Sequence, residues 1–126
     1  MLQVLVIGFG GFLGTIARFG LGGLVHKHFG GSFPLGTLVI NVLGCLVIGV
    51  LMYLIEDRSL FGPTARLFLT IGLLGGFTTF SSFSYETVEQ LRDGDTWFAV
   101  INVCASVILG LGAVWAGRAL MKAIGV

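Results

Sequence analysis

Long apolar runs separated by short polar clusters dominate the chain. Lys27 is the only formal charge between Arg18 and Glu56, and there is none between Arg66 and Glu86 or between Asp95 and Arg118. Each gap is about the length that crosses a hydrocarbon core, roughly 20 residues at 1.5 Å each. The pattern predicts an all-α membrane protein of four helices over about residues 2–25, 35–55, 66–91 and 96–122, forming one transmembrane domain. The breaks between them carry turn chemistry: HKHFGGSF over residues 26–33 ahead of Pro34, Glu56-Asp57-Arg58 followed by Gly62-Pro63, and Arg92-Asp93-Gly94-Asp95. Pro63 suits a helix start, where its missing N–H costs nothing. Trp97 and Trp115 near the ends of the last run suit the two membrane interfaces. A barrel would need strands of about 10 residues alternating apolar and polar, and the runs here are unbroken.

Composition agrees. Of 126 residues, 56% are hydrophobic and 10% charged, against about 25% charged in a soluble domain. A net charge of +1 offers no basic footprint for nucleic acid. Cys45 and Cys104 fall inside predicted spans without a CxxC or Cys/His spacing, and read as small packing residues. Residues 1–25 lack a basic n-region and a small-residue cleavage site, so they read as a span rather than a leader. No nucleophile elbow, zinc-protease helix motif or phosphate loop is present, so an enzyme is not expected.

With four spans the termini share a side, which collects Arg58, Arg66, Arg118 and Lys122. The other side collects Lys27 and Arg92, with Arg18 inside the first span. That Lys/Arg bias is weak. It is compatible with one orientation, termini inside, and equally with insertion both ways. Gly10–Gly14 and Gly72–Gly76 are GxxxG pairs and Ala113–Gly117 is a small-xxx-small pair. Such pairs let helix backbones approach closely, within a chain or between copies.

The third run is unlike an ordinary lipid-facing helix. Gly75-Gly76 sits near its middle, ahead of Thr78-Thr79-Phe80-Ser81-Ser82-Phe83-Ser84. Each glycine costs roughly 1 kcal/mol in a helix interior, and a helix broken at membrane depth frees carbonyls that must line a protein or ion site. A break near Gly75-Gly76 is therefore expected, with close packing as the alternative use of the glycines. Phe80 and Phe83 share a helical face, and Thr79, Ser82 and Glu86 form a polar stripe beside it. Ring edges carry weak positive charge, and the Asn41 amide in the second span is a stronger donor. Together they offer an anion the weak binding that conduction needs; a phenylalanine stripe is also ordinary core. Asn41 and Arg18 are costly at membrane depth and default to functional hypotheses. The alternatives are an interhelical hydrogen bond for Asn41 and snorkelling for Arg18. Glu86 would repel an anion unless paired. Asn102 reads as a packing residue, and His26 and His28 as solvated loop residues.

The motifs together resemble the Fluc-type fluoride channels of the CrcB family over essentially the whole chain. They are Gly10-Gly11-Phe12-Leu13-Gly14-Thr15-Ile16-Ala17-Arg18, Gly36-Thr37-Leu38-Val39-Ile40-Asn41-Val42-Leu43-Gly44, and the run from Gly72 through Gly75-Gly76-Phe77-Thr78-Thr79-Phe80-Ser81-Ser82-Phe83-Ser84 to Glu86. The resemblance implies an antiparallel, dual-topology homodimer with two fluoride pores in a bacterial inner membrane. It implies that Asn41, Phe80 and Phe83 line each pore, with hydroxyls of Ser81, Ser82 and Ser84 continuing a polar track. It implies a central sodium ion held at the dimer interface by the carbonyls of Gly75 and Thr78. Arg18 would serve a vestibule. One departure stands out: the family pattern has Ser or Thr before a G-L-G segment on the fourth helix, whereas Leu109 precedes Gly110-Leu111-Gly112 here, with Ser106 one turn earlier. The implied activity is passive export of fluoride, relieving its toxicity. Two rivals remain. A proton-coupled small multidrug exporter would need an embedded carboxylate, and the only acidic residues within a span are Glu86 and, nearer its end, Glu89. A non-transporting assembly subunit would not require the polar and aromatic density of the third run.

Overall fold

The computed structural model describes residues 1–125, and among them every regular element is helical. Four stretches are long and apolar enough to cross a membrane: Leu2–Phe29, Leu35–Asp57, Pro63–Arg92 and Thr96–Ile124. The first is helix α1 (Leu2–Phe29). The second is α2 (Leu35–Met52), which continues through a π-helical turn, Tyr53–Asp57. The third contains two helices. Helix α3, residues 63–77, opens with Pro63 at its start, is π-helical over Leu67–Leu74 and regains α geometry over Gly75–Phe77. Helix α4 spans Phe80–Arg92. The fourth stretch is α5 (Thr96–Ile124). The turn from α4 to α5 needs a left-handed residue, and Gly94 supplies it with φ 84°.

Two differences from the sequence expectation bear on the site. Helix α1 runs on to Phe29, so His26, Lys27 and His28 form its last turn rather than a loop, and His28 Nδ1 lies 2.9 Å from the Leu24 carbonyl. Gly75 and Gly76 are helical, so the break expected near Gly75-Gly76 does not fall at the glycines. Instead two extended residues, Thr78 (φ −84°, ψ 157°) and Thr79 (φ −150°, ψ 115°), separate α3 from α4.

The glycines serve close approach. Helix α1 lies along α3, and the pairs Gly10–Gly14 and Gly72–Gly76 face one another. A Cβ on Gly10 would sit 2.7 Å from the Phe68 carbonyl oxygen, and one on Gly72 2.8 Å from that of Ile7. Helix α2 lies along α5, where a Cβ on Gly49 would collide with the Val114 carbonyl, and one on Gly117 would sit 2.9 Å from the Val50 nitrogen. These obstacles are backbone, which cannot swing aside. Among the described residues the buried apolar set is small, comprising Leu38, Ile40, Ile55, Leu74 and Ala99. Van der Waals packing of small residues, which holds helices together in lipid, is thus the main cohesive contact between spans.

At one end, Arg66 gathers the α2–α3 connection by donating from Nε to the Phe61 carbonyl at 2.8 Å and from Nη2 to that of Ile55 at 3.4 Å. Arg118 of α5 reaches α2, with Nη1 2.9 Å from Glu56 Oε2 and Nη2 2.8 Å from Asp57 Oδ2.

Gly49→Ala is expected to lower the thermal unfolding midpoint in detergent, at a cost of about 1–3 kcal/mol for overpacking. Gly8→Ala, with nothing within 4 Å of its added Cβ, should be neutral or stabilising. Equal shifts from both would remove the close-approach account.

Candidate functional site

In hydrocarbon, a backbone that leaves helical geometry must find partners for its N–H and C=O groups. Thr79 finds both in one side chain. Asn41 Nδ2 donates to the Thr79 carbonyl at 3.0 Å, and the Thr79 N–H donates to Asn41 Oδ1 at 2.8 Å. The amide stands in for a neighbouring strand. Three residues on, Gly44 lies on the same side of α2, and a Cβ there would collide with the Thr78 side-chain methyl. Asn41 pairs the extended segment while Gly44 admits it, which explains the N-x-x-G spacing physically.

Thr79 also starts α4. Its Oγ1 accepts from the Ser82 N–H at 3.2 Å, an N-cap bond, and donates to Ser82 Oγ at 3.1 Å. These bonds redirect two amides. In an unbroken helix the Thr79 N–H would return to the Gly75 carbonyl and the Ser82 N–H to the Thr78 carbonyl. Asn41 and the Thr79 hydroxyl take those amides instead, leaving the carbonyls of Gly75 and Thr78 as free acceptors.

A cavity of about 440 Å³ opens beside this segment, walled by α2, α3, α4 and α5. It brings together Asn41, Gly75, Thr78, Thr79, Phe80 and Phe83, and among the described residues that line it none is charged. The Phe80 and Phe83 rings are tilted 45° with centroids 5.4 Å apart. Phe80 is 79% exposed and Gly75 is exposed in the single chain, so this side of the cavity is uncovered by its own helices. Ser106 of α5 is also in the wall, and its Oγ is buried without a partner. Leu109, one turn on, is half exposed and lies outside that lining.

The remaining expected residues are placed differently. Ser81 Oγ is 3.2 Å from Thr79 Oγ1, and Ser84 Oγ donates to the Phe80 carbonyl at 2.9 Å. Neither of them, nor Ser82, is among the residues lining this cavity. Arg18 is half buried on α1 and also stands outside that lining. Asn102 is 2% exposed and donates to Thr87 Oγ1 at 2.9 Å, which in turn donates to the Phe83 carbonyl at 2.7 Å, so α5 tethers the turn bearing Phe83. Thr37, one turn before Asn41, was not singled out by the sequence. Its hydroxyl donates to Glu86 Oε1 at 2.6 Å, while Glu86 Oε2 is buried without a partner among the described residues. The i, i+4 spacing of Thr37 and Asn41 was the available signal.

A bundle of four membrane-length spans among the described residues, one interrupted at two extended residues beside an uncharged, mainly apolar cavity with a few polar groups, defines a small multi-pass membrane protein of the channel or transporter type. The profile of the CrcB-like protein family, Camphor Resistance (CrcB), matches residues 5–118, and the chain belongs to that family. Relatives include the Fluoride-specific ion channel FluC of Opitutus terrae, 52% identical over 120 residues that cover 94% of this chain and 91% of the relative. The protein of that name from Solibacter usitatus is 45% identical, covering 96% and 99%. Fluoride-specific ion channel FluC 1 of Methanosarcina acetivorans is 44% identical, covering 94% and 89%.

Asn41→Leu should strand both polar groups of Thr79 in the membrane, costing about 1–3 kcal/mol for each group left unpaired. Thermal unfolding in detergent measures it; an unchanged midpoint would show that the amide does not hold the segment.

Proposed function

We propose that this protein is a fluoride-selective channel through which fluoride leaves the cytoplasm passively. The observation that carries the reading is the convergence of the Asn41 amide and the Phe80–Phe83 ring pair on one uncharged cavity at membrane depth. The names of the relatives point the same way. The Asn41 Nδ2 has a second hydrogen beyond the one given to Thr79, and the ring edges of Phe80 and Phe83 add weakly positive hydrogens. Such donors replace part of an anion's hydration without a fixed countercharge, so the ion enters and still leaves. Hydroxyls of Ser81, Ser82 and Ser84 extend the polar track along α4, and Arg18 raises anion concentration at a vestibule. Glu86, already engaged by Thr37, is held away from the anion's path by that bond.

The working unit is an antiparallel homodimer in a bacterial inner membrane. Backbone carbonyls left without helical partners, as at Gly75 and Thr78, are not viable against lipid; the exposure of Phe80 and Gly75 beside them supports a second copy as their cover. The weak Lys/Arg bias permits both insertions. The freed carbonyls of Gly75 and Thr78 suit a sodium ion, a hard cation that takes oxygen ligands, and two copies would supply four. Bound there, sodium would fix the two interrupted spans against each other and offset anion repulsion nearby.

Phe80→Ala and Phe83→Ala should each cut fluoride efflux from proteoliposomes by about tenfold or more, the effect of losing roughly 1.4 kcal/mol of stabilisation at the barrier, with the dimer intact by size-exclusion chromatography. Undiminished flux would remove both rings from the pore. Replacing sodium by N-methylglucamine should disable or dissociate the dimer; indifference would remove the Gly75/Thr78 site.

A further inference from the structure

The end of the bundle formed by α2 and α5 holds a second pocket, of about 540 Å³, which plays no part in the cavity at the interruption. Its walls include Tyr53, Arg58, Trp115, Arg118 and Lys122. At the helix rise of 1.5 Å per residue, Trp97 and Trp115 lie about 27 Å apart along α5, close to the roughly 30 Å of a hydrocarbon core. That spacing puts Trp115 at one interface and Arg118 and Lys122 beyond it, among headgroups. The charges there are already sorted. Arg118 is held by Glu56 and Asp57 at 2.9 and 2.8 Å, and the π-helical turn Tyr53–Asp57 ends in that adjacent carboxylate pair. One guanidinium thus serves two carboxylates, of which Asp57 lines the pocket, and the three groups together carry a net charge of −1. Arg58 and Lys122 form no ion pair among the described residues. The Arg58 guanidinium stands 5.9 Å from the Tyr53 ring centroid, and Ser59 in the left-handed region (φ 50°) turns the chain immediately after it. Trp115 is 75% exposed at the pocket's wall.

We propose that this pocket binds the phosphate of an anionic phospholipid headgroup. Arg58 and Lys122, the two cations outside the ion-paired trio, leave this end with a net charge of +1 and supply the attraction at headgroup depth. The Trp115 ring supplies an interfacial platform against which glycerol and the upper acyl chain lie. The site stands apart from the ion path and does not depend on what the channel conducts.

The test uses a Trp97→Phe variant, in which Trp115 is the one remaining tryptophan of the two. The protein in uncharged detergent is titrated with short-chain phosphatidylglycerol, with phosphatidylcholine of the same chain length, and with soluble glycerol phosphate, reading Trp115 fluorescence. Phosphatidylglycerol should give a saturable change that phosphatidylcholine does not. Adding Arg58→Gln and Lys122→Gln should raise the midpoint about tenfold, and the charge-keeping pair Arg58→Lys and Lys122→Arg should restore it. Three results would each overturn the proposal. These are an equal response to phosphatidylcholine, a midpoint unmoved by the glutamine pair, and saturation by glycerol phosphate at the same concentration, which would reveal a free-anion site. A change in dimer fraction with no lipid preference would assign the surface to a second copy of the chain and overturn it too.

Discussion

Two hydrogen bonds between the Asn41 side chain and the Thr79 backbone set the terms for the rest of the molecule. Lipid offers no partner to a peptide group outside a helix, and each one left alone costs several kcal/mol. The third span can abandon helical geometry only where another helix brings a group that donates and accepts at once. The Asn amide does both through separate atoms, so it can pair the N–H and the C=O of one residue together. With it in place, Thr79 is free to cap α4, and the amides that would have closed the helix over Gly75 and Thr78 are spent elsewhere. The same bonds turn Phe80 and Phe83 onto the cavity side of a new helix. One pairing thus creates the free acceptors on one side of the interruption and the ring pair on the other.

The remaining packing delivers Asn41 to that point. Gly44 removes the side chain that would hold α2 away from Thr78, and Gly49 and Gly117 bring α2 and α5 to backbone contact. Helix α1 meets α3 glycine against glycine. The crossing also rationalises the π-helical stretch Leu67–Leu74 within the third span, since such geometry is found where a helix is adapted to a functional site. From the other side, the Asn102–Thr87–Phe83 relay fixes the first turns of α4 to α5. The cavity is consequently a product of four helices that share few large buried side chains and many small ones.

The spans were legible because charge gaps and hydrophobic length respond to the bilayer alone. Their ends were less so: His26, Lys27 and His28 look like loop residues, yet a helix emerging into water accepts cations in its last turn, where they complement the dipole. The interruption was expected at Gly75-Gly76 because glycine signals backbone freedom. Here Gly76 serves close approach to Gly11 instead, and Thr78 and Thr79 are extended because of a partner 38 residues away. No local pattern encodes that distance. Asn41, Phe80 and Phe83 were readable as a set, since an amide at membrane depth and an aromatic pair at helical spacing are both unusual there. Thr37 went unread because its partner Glu86 lies on another helix, and Ser106 was legible only as a shifted version of a missing hydroxyl at Leu109.

The most direct test of the account is ion release from proteoliposomes loaded with fluoride, read with a fluoride electrode, beside matched vesicles loaded with chloride. With potassium permeability supplied by valinomycin, the account predicts rapid fluoride discharge while chloride stays inside. Retention of fluoride by vesicles containing folded dimer, or equal release of both ions, would contradict a selective fluoride path through this protein.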